Sequence, residues 1–386
     1  MKKKDKIKIL YVHHGTNQGG APRSLAFLID KLDKSKYEPY VLFFKDYEQN
    51  KELFENVGAK IVFDSKMGPW HGSLASGMSL KVFLLNIKYF IPTYFHAKKI
   101  IKNIRPDIIH LNSTCLFLIA KAAKNVNNSV PIVCHVREAV LSGFWGDILR
   151  RNNDKYVDEY VAIEEFDAKQ LHTNKRVTVI YNFIDFSIYN NSIKSRVLFK
   201  DLKIPINSKI VLYLARIIPE NGALELLKSL EKFLQSNKNI HFCLVGALYN
   251  RKTKYLERVL ELSEKYDNVH VIPFRNDVPN LIASSNVLIV PFITPHFARS
   301  VIEAAAMGIP SIVTNVDGLK DLVIDEKTGL IYDANKTYDL ENKITKILYD
   351  EQYIKNMSKS AIKYAKKNFN ADVNAKRTFE IYDRLL

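Results

Sequence analysis

The residues best suited to chemistry lie late in the chain. An apolar run at 287–292 ends between Pro291 and Pro295, and a helical pattern then opens at Ser300 with Glu303 on its first turn. Gly308 and Pro310 end that pattern, as a glycine just past a helix and a proline soon after usually do. The first amides of a helix have no partner inside it, so a helix starting from a strand end is an anion site. His296, Phe297, Ala298, Arg299 and Ser300 flank those amides, and Glu303 can accept hydroxyls of a sugar or ribose beside the anion. That combination suits a sugar nucleotide. Ser300 and Glu303 also have the spacing of a capping box, in which the two side chains satisfy the helix's own start, so both roles stand.

Other candidates end strand patterns in the same way. Arg216 follows the apolar run 209–215, where a guanidinium is free to grip a phosphate in bidentate fashion. Gly19 and Gly20 lie in the loop 15–23 after the first strand pattern, allow close backbone approach, and precede Arg23. His135 is followed by Arg137 and Glu138, and crowded titratable groups at a strand end favour a site. His110 with Asn112, and His13 with His14, end earlier strand patterns and are candidates of the same kind. No Asp-x-Asp pair follows a strand pattern and no His/Cys cluster occurs, so no metal or other cofactor is required. Arg216, the helix amides and Arg299 are left to neutralise a diphosphate.

The elements that position these residues alternate between strand and helix. Buried-strand patterns at 7–12, 40–44, 61–63, 108–111, 132–135, 160–163 and 177–180 are separated by helical ones such as 21–32 and 114–125. The second half repeats this with strands at 209–215, 241–246, 270–274, 287–291 and 311–314, and helices at 223–234, 254–265 and 279–284; residues 327–329 read as a turn. Such alternation requires right-handed crossovers and mostly parallel sheets. The fold class is therefore α/β, with two Rossmann-like doubly wound domains. The boundaries are placed at 1–185 and 186–365, with weak patterning at 182–200 as a linker and a helix at 366–386 packing back towards the first domain. A length of 386 residues suits two cores. Cys115, Cys134 and Cys243 lack metal-type pairing and read as buried thiols of a reducing compartment. Neither a leader pattern nor an uncharged run of about 18 residues is present.

The net charge of +16 implies anionic partners. Its distribution is uneven: no acidic residue occurs between Asp64 and Asp107, while lysines and large apolar residues interleave through 65–106. Such a segment suits an anionic bilayer surface, against the alternative of an ordinary helix with a solvated basic face. No nucleic-acid recognition motif accompanies the charge.

The segment 291–330 resembles the donor-binding signature of retaining glycosyltransferases of family 4. Pro291, Phe297, Glu303, Ala304, Ala306, Gly308, Pro310, Gly318, Gly329 and Leu330 fall on matching positions. Pro295 stands where the family has its first glutamate, His296 and Ala298 replace small residues, and Asp317 replaces the first glycine of a pair. Arg216 matches the arginine of a second motif whose lysine is Asn221 here. The resemblance implies a GT-B fold, its two domains facing across a cleft, and transfer of a sugar with retention from a nucleoside diphosphate to a saccharide or polyprenyl-linked acceptor. It implies donor contacts at Gly19, Gly20, Arg216, Asn221, 296–300 and Glu303. The matching glutamate binds ribose hydroxyls, His135 faces the transferring sugar, and Asn182 and Asp185 organise the hinge. A role in bacterial surface polysaccharide assembly, in the cytoplasm at the inner face of the plasma membrane, follows from the resemblance together with the basic segment. The departures keep two alternatives open: a non-catalytic nucleotide-sugar-binding subunit and a nucleotide-sugar epimerase of the same architecture.

Overall fold

Consecutive apolar residues, rather than alternating ones, mark strands buried on both faces of a parallel sheet. A computed structural model describes residues 6–386 except 16–19, 46–47, 74–76, 252 and 337. The chain divides into two units, Met1–Asn182 with Ala371–Leu386, and Phe183–Asn370. The boundaries thus fall at 182 rather than 185, and at 370 rather than 365. Most of the expected linker belongs to the second unit and forms structure of its own: Asp185 caps the turn 185–189 through the amide and hydroxyl of Ser187, and Val197–Asp201 is helical.

The first unit holds seven parallel strands: β1 (Ile7–His13), β2 (Tyr37–Phe43), β3 (Lys60–Phe63), β4 (Ile108–Leu111), β5 (Ile132–Val136), β6 (Glu159–Ala162) and β7 (Val177–Val179). Their order is β3-β2-β1-β4-β5-β6-β7. The chain runs outward from β1 to β3 and then returns to lay β4 against β1, with Val12 opposite Leu111. The strand order therefore reverses between β1 and β4, the place where open parallel sheets bind ligands beyond their carboxyl ends. Leu10, Val12, Ile109, Leu111, Ile132 and Cys134 pack the centre with no exposure. The final helix, Ala371–Leu385, belongs to this unit. Arg384 Nη2 donates to Glu159 Oε1 at 2.6 Å, and Asn374 Nδ2 donates to the Tyr181 carbonyl at 3.0 Å.

The second unit repeats the plan with β8 (Lys209–Leu214), β9 (Ile240–Ala247), β10 (Val269–Pro273), β11 (Val287–Val290), β12 (Ser311–Thr314) and β13 (Gly329–Tyr332) in the order β10-β9-β8-β11-β12-β13. Its reversal lies between β8 and β11. Two expectations change. The turn at 327–329 leads straight into β13, because Gly329 pairs with Ser311 so closely that a Cβ there would sit 2.5 Å from the Ser311 carbonyl. The helix expected at 223–234 is two, Ala223–Ser229 and Glu231–Ser236. Leu230 leaves helical geometry between them while Leu230 and Leu234 both stay fully buried.

Candidate functional site

In the second unit the reversal point is built from the ends of β8 and β11. Beyond β8 the chain turns through Arg216, a 3-10 turn Pro219–Asn221 and Gly222, which takes φ +69°. A Cβ on Gly222 would fall 1.9 Å from the Pro291 carbonyl, so this loop lies against the end of β11 and only glycine fits. The Ile293 amide donates to the Glu220 carbonyl at 3.0 Å and joins the two strand ends. Arg216 is exposed, and among the described residues no carboxylate pairs with its guanidinium. Its own carbonyl is held twice, by Tyr213 Oη at 2.9 Å and by Asn221 Nδ2 at 2.8 Å. Asn221 is thus buried and turned onto backbone. The side chain that replaces a lysine fixes the shape of the Arg216 loop and leaves its Oδ1 without a partner among the described residues.

Beyond β11 the segment 291–298 leads into the helix Arg299–Met307. His296 stacks on Phe292 with ring centroids 4.2 Å apart and 12° between planes. Its Nδ1 lies 3.1 Å from the Thr294 carbonyl and can only donate to it. Burial holds the His296 pKa below its ordinary value. Phe297 is half-buried and Ala298 buried. The helix opens one residue earlier than expected, with Ala298 at the N-cap, so no side chain caps it. The capping box of Ser300 and Glu303 does not form. Ser300 lies buried inside the first turn, and Glu303, buried, accepts from Arg299 Nε at 3.2 Å across one turn. Arg299 and Glu303 are therefore brought together as an ion pair at the start of this helix. Gly308 ends the helix at φ +76°, as the sequence required.

In the first unit the reversal point joins His13, the last residue of β1, to Asn112, the first residue after β4. Asn112 Nδ2 lies 3.0 Å from His13 Nδ1, and Asn112 Oδ1 accepts from Arg137 Nε at 2.7 Å. The same guanidinium donates through Nη1 to Asn182 Oδ1 at 2.8 Å and places Nη2 3.4 Å from His135 Nδ1. Asn182, expected at the hinge, is thus part of this network. His135 is fully enclosed. Burial first, then Arg137 and His110, push its pKa well below the ordinary range. His13 is pushed down to about 3 by burial, then by His14 and Arg137. His110 accompanies them in a ring cluster, 5.3 Å from His135, with its Nδ1 2.7 Å from Tyr382 Oη of the last helix. Gly20 begins the helix Gly20–Asp30, while Gly19 lies outside the described residues. Sequence reasoning missed that Arg137 joins His13, Asn112, His135 and Asn182. His13 and Asn112 are 99 positions apart, and the β1–β4 register makes them neighbours, while the pairing of β5 beside β4 brings in His135 and Arg137.

The segment 65–106 contains a helix of 25 residues, Leu80–Ile104, begun by Ser79, whose side chain accepts from the Val82 amide. Two of its uncharged polar side chains, Asn86 and Thr93, face inward beside Ala97 and Ile101. Asn86 exchanges two hydrogen bonds with the backbone of His71, and Thr93 does the same with Gly68. Its large apolar residues face out: Leu80, Leu84, Ile87, Ile91 and Phe95 are 75, 56, 54, 64 and 61% exposed. Their spacing of three and four puts them on one stripe. A cavity of about 500 Å³ beside the stripe is lined by Lys66, Lys88, Tyr89, Ile91, Pro92 and Phe95, among others. Among the described residues no helix is long and apolar enough to cross a membrane.

Residues 194–368 match the family described as Glycosyl transferases group 1, and residues 18–187 match Glycosyltransferase Family 4. A Campylobacter jejuni protein, N,N'-diacetylbacillosaminyl-diphospho-undecaprenol alpha-1,3-N-acetylgalactosaminyltransferase, is 26% identical over 327 residues, 78% of this chain and 83% of that one. An Escherichia coli protein, UDP-Gal:alpha-D-GlcNAc-diphosphoundecaprenol alpha-1,3-galactosyltransferase, is 22% identical over 306 residues, 74% of this chain and 77% of that one. Among solved structures, Anabaena HepE in complex with UDP-glucose superposes with a TM-score of 0.79 at 19% identity, covering 98% of this chain and all of that one. That likeness is one of fold, the GT-B fold.

Proposed function

Given that the chain belongs to the glycosyltransferases of group 1 and family 4, we propose that it moves a sugar, with retention at the anomeric carbon, from a nucleoside diphosphate to a saccharide carried on a polyprenyl diphosphate. The observation that carries the donor half of this reading is the reversal point of the second sheet. There Arg216 at the end of β8, without a carboxylate partner among the described residues, and the start of Arg299–Met307 beyond β11, where Ala298 at the N-cap offers no capping side chain, occupy neighbouring strand ends, joined by the Ile293–Glu220 hydrogen bond. A diphosphate placed there meets a guanidinium and helix amides, the groups that stabilise negative charge as it develops on a leaving group. Glu303 would accept ribose hydroxyls while keeping Arg299 in place.

In this reading the bond from the anomeric carbon to the diphosphate oxygen breaks and the acceptor oxygen bonds the same face. The acceptor's proton passes to the departing diphosphate. No side-chain nucleophile is needed, and His135 contributes by orientation at the sugar rather than by proton transfer, since its pKa is far below neutrality. The acceptor class is supported by the two relatives named for transfer onto diphospho-undecaprenol carriers. It is supported independently by the outward apolar stripe of Leu80–Ile104 with Lys81, Lys88, Lys98, Lys99 and Lys102 on the same helix, a pattern suited to an anionic leaflet where such an acceptor resides. The assignment to the inner face of the plasma membrane and to surface polysaccharide assembly follows from that acceptor.

The test is nucleoside diphosphate release from a panel of UDP-, GDP-, ADP- and TDP-sugars, with and without polyprenyl-diphosphate-linked saccharides. Release that depends on one donor and on the lipid-linked acceptor is expected. Binding of a donor with no release under any pairing contradicts catalysis and leaves a binding subunit.

A further inference from the structure

We propose that Arg137 is a positioning residue that fixes the tautomer of two imidazoles at once, and that His13 joins His135 as a neutral hydrogen-bond donor at the reversal point of the first sheet. The inference rests on the transferase reading for its purpose but not for its geometry.

The argument is one of elimination. A guanidinium has five N–H donors and no acceptor. Arg137 Nε faces one terminal atom of Asn112 at 2.7 Å, so that atom is the amide oxygen. The other terminal atom, 3.0 Å from His13 Nδ1, is then the NH₂ group, a donor. His13 Nδ1 must accept, so its proton sits on Nε2. The same guanidinium faces His135 Nδ1 from Nη2 at 3.4 Å, and again an N–H cannot face an N–H. His135 must also present a lone pair at Nδ1 and carry its proton on Nε2. The far side of the guanidinium is anchored by Asn182 Oδ1 at 2.8 Å, which leaves it little freedom to turn. Three features keep both rings neutral through the physiological range: burial, the cation beside them and their mutual proximity to other imidazoles.

The consequence is two Nε2–H groups, both enclosed and both without an acceptor among the described residues. An enclosed donor left unpaired destabilises the fold, and such groups persist mainly where function uses them. His13 Nε2 lies under Gly15: a Cβ on that glycine would fall 2.8 Å from it, so the backbone at Gly15 approaches this edge as closely as it does only because the residue is glycine. The chemistry that matches two neutral N–H donors at a sheet's carboxyl end is a sugar hydroxyl or phosphate oxygen. It is not proton abstraction, which needs the opposite tautomer and a higher pKa.

The test uses the full chain labelled with ¹⁵N-histidine. Long-range ¹H–¹⁵N correlations report the tautomer of each ring without substrate, and assignment comes from single replacements of His13 and His135. The wild type is expected to show both rings protonated on Nε2 and untitrated from pH 5 to 8. Asn112→Asp offers a near-isosteric acceptor to His13 while still satisfying Arg137. It should move the His13 proton to Nδ1, raise that ring's pKa and leave His135 as it was. Arg137→Lys should release both rings into mixed tautomers. With an active donor and acceptor pair, Asn112→Asp should lower kcat on the order of 100-fold, the scale for losing one preorganised donor, with donor KM little changed. An Nδ1–H tautomer in the wild type, or unchanged rings in the folded Asn112→Asp protein, overturns the inference and leaves the transferase reading standing. Absence of sugar transfer by the wild type with the expected tautomers overturns the transferase reading instead.

Discussion

Arg216 and Glu303 divide the proposed donor between them, and their surroundings separate two kinds of loss. Arg216 is exposed and has no carboxylate partner among the described residues, so Arg216→Ala removes little from the folded protein. Binding of nucleoside diphosphates should weaken by about tenfold to a hundredfold, on the scale of a charge-assisted contact of roughly 1.5–3 kcal/mol, while nucleosides bind as before. Calorimetric titration of a nucleoside and its diphosphate checks this; an equal loss for both removes Arg216 from the phosphate site. Glu303→Ala should weaken the nucleotide as well and lower stability on the order of 1 kcal/mol, since no helix cap is removed while its pairing with Arg299 is among the interactions lost. A lowered melting temperature with unchanged nucleotide affinity would make Glu303 purely structural. At this scale the sequence showed which residue types sit at strand ends, because glycine, proline and charge interrupt apolar runs there. It did not show what those side chains touch. Asn221 reads as a missing cation but proves to be a backbone clamp. Ser300 and Glu303 read as a capping box but miss that geometry because the helix starts one residue early.

The helix Leu80–Ile104 inverts the usual arrangement, with Asn86 and Thr93 turned inward and a row of leucine, isoleucine and phenylalanine turned outward. An exposed apolar row of this length marks an interaction surface. Vesicles of phosphatidylglycerol should carry the protein in a flotation assay at low salt, and binding should weaken as salt screens the lysines within about 10 Å at 0.1 M. Replacing Leu84, Ile91 and Phe95 together by serine should abolish flotation and leave the melting temperature near that of the wild type, because all three are more than half exposed. A large loss of stability, or flotation unchanged by the triple replacement, contradicts a membrane role for this face. The absence of acidic residues over 65–106 pointed to this element. Which residues face out was not legible, because leucines, lysines and aromatics are mixed around the helix and the inward anchors are polar.

At the scale of the whole molecule, strand–helix alternation was enough to give two parallel α/β sheets. The strand order, and with it the reversal points β1/β4 and β8/β11, came only from pairing between distant segments. The unit boundaries moved by a few residues because the segment after Asn182 folds on its own side chains. A property of the whole fold follows from its buried imidazoles. His13 and His110 are pushed down to about 3 and His14 and His270 to about 4, in each case first by burial. In the unfolded chain they titrate near 6.5, so between those values only the unfolded chain holds the protons. Their contribution is complete above about 6.5 and is lost as pH falls towards 4, by up to about 1.4 kcal/mol per pH unit for each of the enclosed His13, His14 and His110 and by less for the partly exposed His270, where solvent screens the effect. Asp167, raised to about 8 by burial and then by Glu138, opposes this, since its contribution fades as pH rises from about 4 to 8; Glu138, also raised by burial, acts in the same sense. The imidazoles are the more numerous, so the urea midpoint should fall between pH 6.5 and 5; an unchanged midpoint contradicts neutral buried histidines. The central claim, sugar transfer to a lipid-linked acceptor, is tested most directly by mass spectrometry and NMR of the acceptor after incubation with the donor that the release assay selects. The expected result is an acceptor heavier by one sugar residue, one nucleoside diphosphate released per sugar transferred, and the donor's anomeric configuration in the new linkage. A product of inverted configuration contradicts the retaining mechanism, and an unchanged acceptor beside an epimerised or untouched donor contradicts transfer itself.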